Sequence, residues 1–251
     1  MKCKSKIKNK LGYIIYEGPS QLDKNHDIVC ILKIKTDNSK LGNMAQLLII
    51  PKDIHPYEAM NQKKDNIVCG DCIHRRSQNG SCYVQPYVYN GMYKAYKAGK
   101  YTKVNINLQQ YSNMFKTMNL SLRLTMYGDI AAVPIGILNQ LHKLCKTYTA
   151  YTHSPHRIDL SKLNFKPMIS VESEEQVKYW NDKGYKTFRT KLSNQKKLSN
   201  ELVCPATIEN KKVKVTCDSC LLCGTNNKKH NIVLDVHGML KRRFELKVLN
   251  T

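Results

Sequence analysis

Residues 120–152 read LSLRLTMYGDIAAVPIGILNQLHKLCKTYTAYT, and the order of their patterns decides the fold class. Leu120 to Tyr127 is rich in strand-favouring residues, and Gly128-Asp129 makes a turn. Pro134 sits where the first turn of a helix tolerates it, because the missing N–H would have no partner there. Ile135, Leu138, Leu141, Leu144 and Cys145 then mark one buried face at helical spacing. Tyr148 to Thr152 returns as a short strand.

The alternation continues toward the C-terminus. Pro167 to Val171 reads as a strand, and Ser173-Glu174-Glu175-Gln176 is a capping-box pattern that opens a helix carrying Val177 and Trp180. Gly184 is placed to end that helix, and Tyr185 to Thr190 is the next strand. Toward the N-terminus, Gly12 to Tyr16, Ile28 to Lys35 and Gln46 to Ile50 read as strands, and Val88 to Ala98 is compatible with a helix. Strand–helix–strand alternation predicts a parallel sheet covered by helices. The expected fold is α/β: a partial or complete α/β barrel, with an open α/β sheet as the alternative. Residues 1–203 form the expected barrel-like domain. Residues 204–251 form a Cys-rich, metal-bound segment with a final strand, packed on the same domain.

Seven of the ten cysteines fall into two groups. The first is Cys69-Gly70-Asp71-Cys72 followed by Cys82-Tyr83; the second is Cys204-Pro205 followed by Cys217, Cys220 and Cys223. Disulfides are disfavoured in a reducing compartment, so clustered thiols in a chain without a secretory signal point to metal or redox chemistry. Four thiolates close a tetrahedral zinc site or hold a 4Fe-4S cluster. The C-x-x-C-x-x-C run favours the cluster, because zinc sites take cysteines in pairs. Three close cysteines in the first group leave a position open to a substrate or cofactor, unless His74, His153, His237 or Cys30 closes it. Cys3, Cys30 and Cys145 read as packing residues.

Beyond the thiols, functional groups of an α/β sheet gather past the carboxyl ends of its strands. That places Asp129, His153 and Glu172 on one rim, with Asp129 and His153 as catalytic candidates; the plain alternative for Asp129 is a turn or cap residue. The chain has a formal charge of +22, from 34 Lys and seven Arg against 19 acidic residues. Such a surplus makes nucleic acid the first partner to consider, although an AT-rich genome would also enrich Lys. Arg75 and Arg76 could clamp phosphate. Tyr83, Tyr87, Tyr89, Tyr93, Tyr96 and Tyr101, interleaved with Lys94, Lys97 and Lys100, would suit stacking on unpaired bases, unless they form an ordinary amphipathic helix.

Several classes are excluded by what is missing. No P-loop, Rossmann glycine fingerprint, nucleophile elbow or H-E-x-x-H helix occurs, and no carboxylate cluster for two-metal phosphodiester cleavage is visible. No apolar run approaches the roughly 20 residues of a membrane span, so the chain is expected to be cytoplasmic, in the host cell if phage-encoded.

Read together, certain segments resemble a family of uncharacterised phage and mobile-element proteins related to the phage "gene product 88" type. They are Val68 to Cys72, Cys82-Tyr83-Val84, Arg123 with Tyr127-Gly128-Asp129 and Pro134, Tyr151-Thr152-His153 and Ser170 to Ser173. Phe188-Arg189, Cys204-Pro205-Ala206, the Cys217–Cys223 run and His237-Gly238 complete the set, which spans about residues 39 to 238. A weaker likeness is to radical S-adenosylmethionine enzymes, which have a three-cysteine cluster loop, an aromatic residue beside its last Cys and a partial barrel. That likeness implies cofactor binding by Cys69, Cys72, Cys82, Tyr83, Gly128 and Asp129, the last two standing in for a Gly-Gly-Glu segment. The loop departs from those enzymes: here it is C-x2-C-x9-C, not C-x3-C-x2-C. Two functions follow, an iron–sulfur enzyme acting on or near nucleic acid, or a zinc-stabilised nucleic-acid-binding protein without catalysis.

Overall fold

The computed structural model describes residues 12–35, 38–207, 215–224 and 229–248. The described residues begin with a meander: β1 (Tyr13–Pro19), β2 (Asp27–Lys33) and β3 (Ala45–Pro51) pair antiparallel in sequence. Almost every side chain of β2 and β3 is buried on both faces, which is why these strands read as apolar runs without alternation. Helices α1 (Pro56–Asn61) and α2 (Asn66–Cys69) lead into the first cysteine loop. A 3-10 turn at Pro86–Tyr89 precedes α3 (Asn90–Lys97), so the expected helix over 88–98 begins two residues late. The edge strand β4 (Thr102–Lys103) and the polar helix α4 (Gln109–Met118) follow.

The decisive stretch folds as its pattern predicts. β5 (Ser121–Tyr127) turns at Gly128, and α5 (Ile135–Leu144) buries Leu138, Leu141 and Leu144. Pro134 is the residue that caps α5 rather than part of its first turn. The next strand divides at Ala150 into β6 (Thr147–Thr149) and β7 (Tyr151–Thr152). β8 (Met168–Val171), α6 (Glu174–Asp182) and β9 (Thr187–Lys191) come next. Ser173 and Gln176 make the reciprocal capping box. Gly184 ends α6 at φ +77° with its N–H on the Asn181 carbonyl. β10 (Glu201–Val203), α7 (Cys217–Cys220), β11 (Asn231–Asp235) and α8 (Lys241–Val248) complete the described residues.

The strands form two sheets. One has the order β4-β1-β2-β3-β5-β6, and within it β3, β5 and β6 are parallel neighbours. The other, β10-β11-β9-β8-β7, is parallel throughout. Ala150 alone separates β6 in the first sheet from β7 in the second. The mixed α/β class with parallel strands is therefore the observed one. Among the described residues both sheets end in edge strands, so neither closes on itself and a complete barrel is not formed.

The final strand expected beyond residue 204 is β11, which lies between β10 and β9 in the second sheet. Lys241-Arg242-Arg243 opens α8, whose Phe244 is fully buried. Cys3 lies outside the described residues. Among them, no helix is long and apolar enough to cross a membrane.

Candidate functional site

The first cysteine loop follows β3, and its shape depends on glycine. Gly70 lies at φ +54°, and a Cβ there would meet the Ser154 hydroxyl at 2.6 Å. The Cys72 N–H donates to the Cys69 carbonyl, and the Cys82 N–H donates to the His74 carbonyl at 2.9 Å, which folds the nine-residue gap back on itself. The long spacing is thus a compact loop, with Cys82 returned toward Cys69 and Cys72.

The three thiols act on one another. Burial pushes Cys69 well up, and negative charge on Cys72 and Cys82 would push it further, with Asp65 and Asp129 adding to the effect. Cys72 is pushed up to about 12 by burial, with Asp129 and Glu172 also raising it, against the His74 N–H and Arg75. Cys82 is pushed up to about 11, again by burial first and then by Cys72. Unaided, such a trio stays protonated. A bound cation reverses the sign, because coordination deprotonates a thiol outright.

Cys204, Cys217, Cys220 and Cys223 form a second mutually coupled group. Burial raises Cys204, and Cys220 adds to it; burial raises Cys217, which feels both Cys204 and Cys220. Cys223 is pushed up to about 12 by burial, although the Tyr151 hydroxyl donates to its sulfur. The sequence-distant Cys204 is brought in by β10, with its N–H on the Val233 carbonyl. Residues 217–224 dock on the β6–β7 junction, where a Cβ on Gly224 would stand 2.0 Å from the Tyr148 carbonyl oxygen. Thr149 and Gly224 form an antiparallel bridge.

Arg123 interacts with Tyr83, next to Cys82 in sequence, and with Tyr151, the partner of Cys223. Its guanidinium lies 5.5 Å from the Tyr151 ring and its charge opposes the rise of Cys217. Burial works against the Arg123 charge, but Tyr83, which shares a hydrogen bond with it, and Tyr151 hold its pKa up. Tyr83 itself is exposed and packs against His237.

Asp129, His153 and Glu172 do share one rim. Asp129 is buried after β5, and its N–H donates to the Val68 carbonyl at 2.7 Å. Its carboxylate accepts from Ala131 N–H (2.9 Å), the Thr152 hydroxyl (2.7 Å) and the His153 N–H (2.6 Å). The cap reading of Asp129 is therefore realised, and the same carboxylate fixes the backbone at His153. A carboxylate has about four acceptor positions, so one remains for a ligand. Gly128 makes the turn at φ +83°, with β3 against it: a Cβ would lie 2.8 Å from the Ile49 carbonyl oxygen.

Among the described residues, the set of metal-ligating side chains whose donor atoms all lie within 4.8 Å of one another contains no thiol. It is His74, His153 and Glu172. His74 is buried; its Nε2 lies 2.8 Å from Glu172 Oε1 and its Nδ1 2.8 Å from the Ser81 hydroxyl. Phe244 stacks on the His74 ring at 5.6 Å. Burial works against the charge of Glu172, but the hydrogen bond and charge of His74, with the charge of His153, hold its carboxyl below the usual range. The strand-end rule joins His153 and Glu172 but not His74, and no local pattern points to Ser81 or Phe244, which contact His74 only once the loop and α8 are in place.

The expected nucleic-acid residues separate. Arg75 is corrected from phosphate clamp to internal strut: its side chain is 9% exposed and pairs with Asp65 at 3.1 Å. Arg76 donates through Nε to the Cys82 carbonyl. Lys94 and Lys97 are exposed, the latter 3.6 Å from Asp53. Tyr93 and Tyr96 turn inward, to Lys52 and Glu17, as an amphipathic helix would have them. Tyr83 and Tyr87 remain exposed. A cavity of about 430 Å³ is lined by Lys40, Lys191, Lys197, Thr207 and His237, among others.

Comparison of the chain with protein-family models, curated proteins and solved structures returns no match.

Proposed function

We propose that the protein is a cysteine-ligated metalloenzyme of phage type, with an open iron–sulfur centre on Cys69, Cys72 and Cys82. The observation that carries the reading is the convergence of strand ends on that loop. The trio follows β3, and the segments after β5, β7 and β8 bring Asp129, His153 and Glu172 beside it. The donor chemistry fits: three mutually coupled thiols supply three corners of a cluster and leave one iron free for a ligand. Cys204, Cys217, Cys220 and Cys223 supply four, which suits an auxiliary 4Fe-4S centre.

The partial-barrel likeness to radical S-adenosylmethionine enzymes belongs to this reading. The cluster loop follows β3, the first strand of the parallel run β3-β5-β6. S-adenosylmethionine would take the open iron, with Asp129 offering at most its one remaining acceptor position. The chain's own residues do the positioning: Asp129 holds His153, and Ser81 holds His74.

Nucleic acid is the proposed substrate or neighbour, on the strength of the +22 charge, exposed Tyr83 and Tyr87, and the lysine-lined cavity beside the second thiol group. A zinc-stabilised nucleic-acid-binding protein is the second reading. It is favoured by residues 215–224, which bury little besides Leu221 and would be ordered by a structural ion.

Anaerobic purification followed by iron, sulfide and zinc analysis separates the two. Broad visible absorbance with about four iron and four sulfide per occupied site is expected. A colourless protein with about one zinc per thiol group would overturn the enzyme reading. Single-strand binding measured against salt tests the partner, and a flat salt dependence would remove it.

A further inference from the structure

We propose that His74, His153 and Glu172 bind a single divalent transition-metal ion, distinct from anything held by the thiols. The site is built from three separate places in the chain: the first cysteine loop, the end of β7 and the end of β8. Their donor atoms already lie within 4.8 Å of one another, close enough for one ion to touch all three.

Each ligand has its own support. Ser81 Oγ lies 2.8 Å from His74 Nδ1, and Phe244 stacks nearly parallel to the ring at 16°, so both the plane and the outward nitrogen of His74 are set. The Asp129 carboxylate holds the His153 N–H at 2.6 Å. The Glu172 N–H donates to Gln176 Oε1 at 2.8 Å, inside the capping box of α6. The last two contacts fix the backbone at His153 and Glu172, while Ser81 is a partner of the ring itself, the kind that orients a ligand and is worth about 10–100-fold in metal affinity.

The donor set selects the ion class. Two imidazoles with one carboxylate suit Zn²⁺, Fe²⁺ or Co²⁺; Mg²⁺ and Ca²⁺ want oxygen ligands, and soft ions want sulfur. Three protein ligands leave a fourth position, and the exposure of His153 gives water a route to the site. The contact between His74 Nε2 and Glu172 Oε1 is what these two donors make of each other without an ion, and it needs a proton between them. An ion takes the place of that proton and releases it. A simple His74–Glu172 ion pair would leave His153 without a purpose in the cluster. His153 nevertheless sits edge-on to His74 at a centroid distance of 5.5 Å.

The site does not depend on the thiols being ligated. Reduced, metal-free protein titrated with Co²⁺ reports both, because only thiolate ligation gives strong near-ultraviolet charge transfer. Wild type is expected to bind one more equivalent of Co²⁺ than Glu172→Gln or His153→Ala, with equal charge transfer in all three. Ser81→Ala should weaken that equivalent by about tenfold. Unchanged stoichiometry in both ligand variants would overturn the proposal. So would loss of charge transfer together with the equivalent, which would make His74 or its neighbours part of a thiol site. Charge transfer missing from wild type, with the extra equivalent retained, would count against the thiol centres alone. Circular dichroism of each variant verifies that it is folded; His153, being exposed, is the variant least tied to folding.

Discussion

Asp129 accepts the His153 N–H at 2.6 Å, and this bond ties the end of β5 to the end of β7. The same carboxylate holds Ala131 and Thr152. Asp129→Asn puts an NH₂ against a backbone N–H whichever way the amide turns. A buried donor left unpaired costs about 1–3 kcal/mol. Urea unfolding of Asp129→Asn should therefore show a loss of about 2 kcal/mol, and Asp129→Ala more. An unchanged midpoint would mean that this carboxylate does not hold the rim together.

Much of the second half of the fold was legible because its signals are local. The capping box at Ser173–Gln176, the turn at Gly128-Asp129 and the Leu138/Leu141/Leu144 face each lie within a few residues. The strand-end rule also brought Asp129, His153 and Glu172 to one rim. What was not legible depends on distance. Arg75 reads as free until Asp65 is seen beneath it, and α8 shows no apolar stripe because Phe244 is its one fully buried side chain among those described. The His74–Glu172 contact joins residues 98 apart, which no periodicity can report.

Glycine positions give a prediction of opposite signs. At Gly128 a Cβ would strike the Ile49 backbone in β3, and the residue is at φ +83°. Gly136 lies in α5 with nothing within 4 Å. Gly128→Ala should lose about 2–3 kcal/mol, from strain and displacement of the strand. Gly136→Ala should gain a few tenths to about 1 kcal/mol. Thermal melts of the two variants test both signs.

Arg189 and Glu201 form a buried bidentate pair with both bonds at 2.7 Å and side chains 1% and 0% exposed. Breaking it leaves a charge inside the second sheet, so Glu201→Gln is expected to cost about 3–5 kcal/mol. Replacing both by leucine should cost less than the sum of the single changes. Denaturant unfolding of the double-mutant cycle measures the difference.

The Glu17 carboxylate is held below its usual range, first by the hydrogen bond from Lys103 at 2.9 Å and further by Lys52 and the Tyr96 hydroxyl. A carboxyl lowered on folding stabilises fully above its unfolded value, about 4.3, and loses that stabilisation as pH falls through the folded value. Stability measured from pH 6 downward should fall less steeply in Glu17→Gln than in wild type. Parallel curves would mean that the lysines do not hold this carboxylate in the folded state.

Removing one sulfur from the second group tests what orders residues 215–224. Leu221, with Leu41 and Met44, is the small buried cluster under this segment, and Cys217 packs against it. Cys223 takes a hydrogen bond from Tyr151, and Cys204 continues β10. Cys220→Ser keeps the size of the side chain and removes one thiolate, so it tests ligation with little change in burial. If the four thiols hold an ion or cluster, the variant should lose that centre's metal while the metal on the first group stays. Limited proteolysis should then cut near residues 215–224 first, because an apolar cluster this small is worth only a few kcal/mol. The parallel pairing of β9 with β11 does not pass through α7, so the melting of the main sheets should change little. Equal metal content and equal proteolysis in variant and wild type would show that packing alone orders the segment.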